Sequence, residues 1–428
     1  MGFEFIEIVF EGLLVLIVLA IVLNCLFSRD KAKIFSPVVF FCVYLTYYIV
    51  LPSMGSDVDF LTGKKIEGEW MLLLGAILIL LAFLVGYNFR VKRLYFKKTM
   101  AVYNEDNTIT IAIIVFAISF VLNGLFNGFT LSFIRYQDIG GAFNEDDAFN
   151  HAEMYLTNFI SLFPAAIALL LSKKKPYIAI AFLILASIIY LIGGFRYRLL
   201  VLFVVLFVYY HLFPHPKRIK YKFWIPLVLV FYLSMGIIES TRRYGGGLDL
   251  EAIENLSEGD LSLTKARENE MVYAFSAAVM EKYSEREHIY FEPFFTAALM
   301  PIPRALFPWK PDGGYLRDAN MAVYNTLEYG NAFVNISEAY MSFGWLGIIL
   351  YGLVIGYLSK VFWITYKRNP NSIVSIVLLG CYNGFLYVLV SRGYLAQTFI
   401  NYVYYILLFC WMSRIVNKFL IKVDHGRP

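Results

Sequence analysis

Apolar stretches of about twenty residues recur along most of the chain, and they restrict its fold more than any other feature. Hydrophobic residues make up 59% of the 428 residues and charged residues only 16%. This composition excludes a soluble globular protein and a disordered one. The sequence therefore predicts an all-α, polytopic membrane protein. We place about eleven transmembrane helices at residues 6–27, 35–53, 70–88, 108–127, 154–171, 177–194, 199–213, 223–240, 334–358, 372–390 and 397–416.

The basic residues of the short connections indicate an orientation. Connections on one side of this plan hold 22 of the 37 Lys and Arg residues. Because basic short loops stay in the cytoplasm, the amino terminus is predicted outside and the carboxyl terminus in the cytoplasm. One outer connection is far longer than a link between helices requires. The predicted division is thus helices 1–8 in residues 1–240, a large outer loop with short helices in residues 241–333, and helices 9–11 with a tail in residues 334–428.

Several arginines lie on the outer side, against the positive-inside bias. Arg196 and Arg198 occur in a Gly-Gly-Phe-Arg-Tyr-Arg loop, Arg392 lies in a second short loop, and Arg242 and Arg243 follow the span 223–240. The guanidinium group presents paired donors that suit phosphate oxygens. The alternative is that these side chains anchor the protein to lipid headgroups. Their presence in several loops favours a shared anion site.

A proline-rich segment of the long connection carries two more cations. Four prolines occur within residues 301–311, and each fixes φ and removes a backbone donor. This stiff segment holds Arg304 and Lys310 in place, and Trp309 could stack on a sugar face. The alternative is a solvated turn whose cations bind nothing.

A carboxylate lies near the predicted outer end of the ninth span. Glu338 stands in Asn-Ile-Ser-Glu-Ala-Tyr, about one turn into the helix. A carboxylate partly removed from water can act as a general base. The alternative is an ion pair with one of the outer arginines, and the sequence does not decide between the two. His288, the one histidine of the long connection, is the second candidate for the base.

Two other patterns concern packing. Glycines at positions 344, 347, 352 and 356 allow another helix to approach the ninth span closely. Residues 264–283 read as an amphipathic helix that either lies on the membrane or caps the helix bundle.

Three of these motifs together resemble the oligosaccharide repeat-unit polymerases of the Wzy type, which make O-antigen and capsular polysaccharide. The motifs are Gly-Phe-Arg-Tyr-Arg, Pro-Arg-Ala-Leu-Phe-Pro-Trp-Lys-Pro, and Ser-Glu-Ala-Tyr-Met-Ser-Phe-Gly-Trp-Leu-Gly. The resemblance covers the hydropathy plan of most of the chain and specific motifs over roughly residues 193–347.

The resemblance implies a metal-independent glycosyltransferase of the membrane-embedded, GT-C-like class in the bacterial cytoplasmic membrane. Its substrates would be oligosaccharides linked to undecaprenyl pyrophosphate, joined at the outer face of the bilayer. It implies no cofactor and no nucleic acid, and it suggests a chain-length regulator and a flippase as protein partners.

The resemblance also implies roles for single residues. Arg196, Arg198, Arg304 and Lys310 match basic motif positions of the family, whereas topology alone adds the remaining arginines. Fixed cations would stabilise a departing pyrophosphate. The predicted catalytic residues are Glu338, Arg304 and Arg196; the predicted substrate-binding residues are Arg198, Arg242, Arg243, Lys310, Arg392 and Trp309.

Two other functions remain open at the level of sequence. An O-antigen ligase-type transferase would share the helices, the large loop and the arginines. A lipid-linked oligosaccharide flippase or other transporter would show charged residues at the bilayer midplane, broken helices and a repeat of the two halves. The charges of this chain lie instead at predicted helix ends, which favours a transferase.

Overall fold

The computed structural model consists of helices in the parts of the chain that it describes. These parts are residues 2–55, 59, 63, 65–91, 105–127, 158–173, 175–192, 196–214, 222, 267–299, 302, 307, 309, 314–325, 332–412 and 414–416. In chain order the helices are α1 (Gly2–Leu26), α2 (Pro37–Ser53), α3 (Glu69–Asn88), α4 (Glu105–Asn127), α5 (Phe163–Ser172), α6 (Pro176–Ile192), α7 (Arg196–Leu212), α8 (Arg267–Ser284), α9 (Glu292–Leu299), α10 (Gly314–Tyr324), α11 (Asn335–Arg368), α12 (Ile373–Ser391) and α13 (Leu395–Tyr402).

Ten of the predicted spans coincide with apolar helices. Within the described residues, six helices are long and apolar enough to cross a membrane, and four more are apolar but shorter, at 10–17 residues. A helix suits such sequences because it satisfies its own backbone hydrogen bonds in lipid. The predicted all-α, polytopic membrane class is confirmed, while the predicted span 223–240 lies outside the described residues.

The chain forms two compact units, each built from segments that are far apart in the sequence. The first unit comprises Met1–Lys92, Ala266–Ile364 and Leu386–Ile400. The second comprises Arg93–Lys265, Thr365–Phe385 and Asn401–Pro428. The division at residues 240 and 333 concerns the sides of the membrane, and it stays a prediction.

In the first unit, α3 and α11 pack with their backbones in contact. A Cβ atom on Gly86 would collide with the carbonyl group of Leu353, and one on Gly356 would collide with that of Phe83. Gly352 meets α3 in the same way. The predicted close approach at Gly352 and Gly356 is therefore confirmed, and any larger side chain would separate the two helices.

Helix α8 belongs to the interior of the first unit. Its side chains Tyr273, Phe275, Val279 and Met280 are buried, and it packs on α3 and α10. Of the two settings predicted for residues 264–283, this packing matches a helix that caps the bundle and not one that lies on the membrane.

Helix α11 is broken near its start. Phe343 (φ −144°, ψ 24°) and Gly344 (φ 60°, ψ −145°) have non-helical backbone angles, so a short first helix precedes the long one. A positive φ with this ψ is open in practice to glycine alone. The carbonyl group of Met341 accepts a hydrogen bond from the amide of Ile289 at 2.9 Å. A broken span is one of the features expected of a transporter, and here the break lies close to the Asn335 end.

The second unit centres on α5, which is almost wholly buried from Phe163 to Leu170. It packs against α4, α6 and α7. Gly380 and Gly384 of α12 lie against Val201 and Val205 of α7. Small residues thus bring helices together in this unit as well.

Candidate active site

Glu338 is a buried carboxylate with two hydrogen-bond donors. It lies in the first turn of α11 and is 4% exposed. Its Oε1 accepts a hydrogen bond from the Tyr315 hydroxyl at 2.6 Å and another from the Leu395 backbone amide at 3.0 Å. A carboxylate away from water requires such donors. Within the described residues both hydrogen bonds fall on Oε1.

Hydrogen bonds between chain segments place the Leu395 amide beside Glu338. The Asn335 side-chain amide donates to the carbonyl groups of Val388 at 3.2 Å and Leu389 at 2.7 Å. The Gly393 amide donates to the carbonyl group of Phe333 at 2.6 Å. The turn between α12 and α13 is thereby held against the start of α11.

Tyr315 orients the carboxylate from α10. It is 1% exposed, and its ring lies edge-on to that of Tyr394, with centroids 6.3 Å apart. Burial raises the pKa of the Tyr315 hydroxyl well above its usual value, and the nearby charge of Glu338 raises it further. The phenol is therefore protonated at neutral pH and can donate its hydrogen bond. The sequence offered no signal for this residue, which is one tyrosine among 32.

Arg392 lies in the turn that reaches Glu338. Its amide donates to the carbonyl group of Val388 at 3.1 Å, and its own carbonyl accepts from the Thr398 hydroxyl at 3.4 Å. Sequence analysis placed Arg392 and Glu338 at the ends of different spans, and the structure brings their turns together in the first unit. No arginine among the described residues pairs with Glu338, so the ion-pair alternative has no support there.

His288, the second candidate for the base, lies at the break in α11. Its imidazole packs against Gly344, and the rings of Tyr340 and Tyr290 stand edge-on to it at 6.0 and 6.2 Å. Its Nδ1 is buried and makes no hydrogen bond to a described residue. These contacts show His288 as a packing partner of the break.

Arg198, in the second unit, lies inside a helix and not in a loop. It is 2% exposed, and its Nη2 donates to Oδ1 of Asn158 at 2.7 Å. Its guanidinium carbon is 5.4 Å from the centre of the Tyr197 ring, within range of a cation–π contact. The first turn of α7 carries the side chain into the protein, so the guanidinium group does not lie in the predicted loop. Its role towards a ligand stays a prediction.

The other predicted site residues are placed in part. Arg196 begins α7, and its side chain lies outside the described part of the structure. Trp309 is 83% exposed and stands edge-on to Phe307 at 5.8 Å. The predicted cations that lie wholly outside the described residues are Arg242, Arg243, Arg304 and Lys310.

A second buried carboxylate repeats the arrangement around Glu338. Glu69, in the first turn of α3, is 6% exposed, and its Oε1 accepts a hydrogen bond from the Tyr273 hydroxyl at 2.6 Å. Burial raises the pKa of Tyr273 well above its usual value, so it too is a donor. Sequence analysis missed this pair. The available signal was a glutamate in the first turn of an apolar helix, as at Glu338.

The titratable side chains also bear on metal binding. Among the described residues, no three His, Cys, Asp or Glu side chains form a group that could hold a metal ion. The expectation of metal-independent chemistry is not tested by this observation and stays a prediction.

Comparisons with known proteins bear on the whole chain. No curated protein and no solved structure matches it. One family model does match: that of the O-antigen polysaccharide polymerase Wzy, over residues 2–418. The matched range includes α10, α11 and the turn before α13, which together enclose Glu338. Because the match extends over nearly the whole length, the chain belongs to the Wzy family of O-antigen polysaccharide polymerases.

Proposed function

We propose that the protein joins oligosaccharide repeat units carried on undecaprenyl pyrophosphate, at the outer face of the cytoplasmic membrane and without a metal ion. Family membership supports a polymerase of O-antigen repeat units in general. The observation that supports the finer proposal is the buried Glu338 carboxylate, which Tyr315 and the Leu395 amide hold by a single oxygen.

The proposed step is a direct glycosyl transfer. A hydroxyl oxygen of the incoming lipid-linked unit attacks the anomeric carbon of the growing glycan and forms the new glycosidic bond. The bond from that carbon to pyrophosphate breaks, and the electron pair leaves with the phosphate oxygen. The hydroxyl proton passes to Glu338, whose two donors within the described residues both contact Oε1.

The pyrophosphate gains negative charge as it leaves. Preorganised cations stabilise such a charge most effectively where water is excluded. We assign this task to Arg196 and Arg304 on the family resemblance, with Arg198, Arg242, Arg243, Lys310 and Arg392 as further ligands of the pyrophosphate and glycan. The proximity of the Arg392 turn to Glu338 supports one member of this set. Trp309, exposed in the long connection, is the proposed stacking surface for a sugar.

The decisive experiment uses purified full-length protein, undecaprenyl-pyrophosphate repeat units and a metal chelator in detergent. The wild type should produce a ladder of glycans. Glu338→Gln keeps the size of the side chain but cannot accept a proton, so its single-turnover rate should fall by roughly 10²–10⁴-fold at normal protein yield. Glu285→Gln, which changes an exposed carboxylate of the long connection, is the matched control and should turn over normally.

Other outcomes would point elsewhere. Near-normal turnover in folded Glu338→Gln would assign the proton to His288 or to no side chain. Loss of the ladder on addition of chelator would refute metal independence. Transfer of one glycan to a different acceptor, with no ladder, would identify a ligase.

A further inference from the structure

One face of α9 is aromatic and open to the surroundings of the protein. Phe291, just before the helix, is 59% exposed, and Phe294 and Phe295 are 52% and 60% exposed. Together with exposed Ala298 they follow the spacing i, i+3, i+4 and i+7, which is a single helical face. Three large apolar side chains on one face form a patch that water does not favour.

The opposite face of α9 is fixed to the protein. Pro293, Thr296 and Ala297 are buried. The chain two residues before the aromatic face is also fixed, because the Ile289 amide donates to the Met341 carbonyl at 2.9 Å. The exposed rings are therefore held in one direction.

Aromatic contacts join this face to the membrane span α11. The ring of Phe291 stands edge-on to that of Phe343 with centroids 5.0 Å apart, and Tyr290 contacts the same ring at 6.1 Å. Phe343 lies at the break, near the Asn335 end of the span. The aromatic face thus adjoins the end of a helix that is long and apolar enough to cross a bilayer.

The adjoining surface of α11 is an apolar stripe. Leu346, Leu350 and Val354 recur every fourth residue and are 59%, 48% and 57% exposed. In a multi-pass membrane protein, an exposed aliphatic stripe on a span faces lipid. Helices that lie in the membrane interface bury Trp, Phe and Leu side chains at the boundary between headgroups and acyl chains. Phe343, which contacts Phe291, lies three residues before Leu346, so the patch on α9 is near the start of this stripe.

We propose that α9 is an interfacial helix whose Phe291, Phe294 and Phe295 lie among the lipids of the bilayer, at the Asn335 end of α11. The attraction is apolar, since the exposed charged residues just before the helix are Glu285, Arg286 and Glu287, two carboxylates against one guanidinium group, and they give no net cationic surface for anionic lipid. The helix thereby holds the long connection at the bilayer surface, beside the break. This inference does not depend on the proposed chemistry.

Spin labelling of the full chain in phosphatidylcholine nanodiscs tests the proposal. All four native cysteines are free and none is exposed, so they are first replaced by alanine. Single cysteines then carry a nitroxide at position 295, at Leu350 as the lipid reference, and at Glu285 and Asp318 as exposed polar references. Collisions with oxygen report lipid, and collisions with a nickel chelate report water.

We expect the label at position 295 to favour oxygen, as the label at position 350 does, and those at 285 and 318 to favour nickel. Replacing half of the lipid with an anionic one should not change this order. Nickel access at 295 equal to that at 285 would overturn the proposal. Protection of position 295 from both reagents would also overturn it, because the helix would then be covered by protein. If added unlabelled protein relieves spin–spin broadening, the cover is a second copy; otherwise it is another part of the same chain. Only labelled variants with wild-type elution and unfolding temperature are compared.

Discussion

At the scale of single residues, Glu338 is positioned by donors from two separate stretches of chain. Tyr315 comes from α10 and the Leu395 amide from the start of α13. Phenylalanine removes the hydroxyl with little change of shape, whereas only proline removes the backbone amide, and it also fixes φ. The contribution of the Tyr315 hydroxyl can therefore be measured by itself, whereas that of the Leu395 amide cannot.

Tyr315→Phe should slow polymerisation without unfolding the protein. The variant keeps the buried ring and removes one hydrogen bond to a charged group, which is worth about 1.5–3 kcal/mol and corresponds to a roughly tenfold to hundredfold loss in rate. Initial rates of ladder formation measure the effect. Tyr340→Phe is the control, since Tyr340 is a buried tyrosine of α11 whose hydroxyl makes no hydrogen bond within the described residues. Equal rates in both variants would show that Tyr315 only packs.

Proton acceptance by Glu338 predicts a dependence on pH. As the pH is lowered, protonated Glu338 can no longer take the acceptor's proton, so the wild-type rate should fall on the acid side. Glu338→Gln should lack this acid limb in its residual rate. An unchanged acid limb in the variant would assign it to another group.

Arg198 and Arg196 should respond differently to substitution by lysine. Arg198→Lys removes a buried hydrogen bond to Asn158 and should lower stability by about 1–3 kcal/mol. Arg196→Lys should keep stability and lower polymer yield, since lysine lacks the paired donors. Thermal unfolding in detergent and ladder yield separate the two effects. A stable but inactive Arg198→Lys would instead make Arg198 a ligand.

The site was predictable from sequence only where charge contradicted its surroundings. Glu338 and Arg392 drew attention because each lies at the end of an apolar span. Tyr315 did not, because nothing in a sequence rich in tyrosine shows which hydroxyl meets a buried carboxylate. The position of Arg198 was recognised as unusual for an outer arginine. Whether its side chain points into the protein depends on the residue at which α7 begins, and the sequence does not give that residue.

At the scale of elements, the break in α11 depends on one backbone position. Gly344→Ala should destabilise the protein by about 1–3 kcal/mol, because a residue with a Cβ atom is sterically strained at the φ and ψ angles of this position. Gly12→Ala is the control, since a Cβ atom on Gly12 meets nothing within 4 Å. Thermal unfolding of both variants measures the difference.

The substitution His288→Ala separates the two possible causes of the destabilisation at Gly344, which are backbone strain and the contact with the His288 ring. A Cβ atom at position 344 would lie 3.2 Å from the His288 ring, so the histidine adds a tight contact to the strain. Adding His288→Ala to Gly344→Ala should recover little stability. Full recovery would mean that the contact, and not the backbone, sets the cost.

The spans were predictable because apolar length alone specifies a membrane helix. The break was not, since glycines at positions 344, 352 and 356 look alike in the sequence. Two of them allow close packing and one takes a left-handed conformation. The same limit applies to α9, because an eight-residue helix rich in phenylalanine gives no periodicity that separates a buried helix from an interfacial one.

At the scale of the whole molecule, the predicted orientation determines which surfaces we expect a reagent outside the cell to reach. A cysteine at exposed Glu285 should be labelled by a membrane-impermeant maleimide in intact cells. A cysteine at exposed Lys175 should be labelled only after permeabilisation. The reverse pattern would invert the topology and place Glu338 at the cytoplasmic side.

The interleaved segments of the first unit have a consequence for synthesis. α3 leaves the ribosome early, but its Gly86 faces α11, which begins only at Asn335. Until α11 is made, the face of α3 at Gly86 has no helix partner there, and Ser276 of α8 lacks its hydrogen bonds with Val334 and Ser337. A nascent chain that stops at residue 333 is therefore a substrate for membrane proteases. In a pulse-chase measurement it should decay faster than the full-length chain.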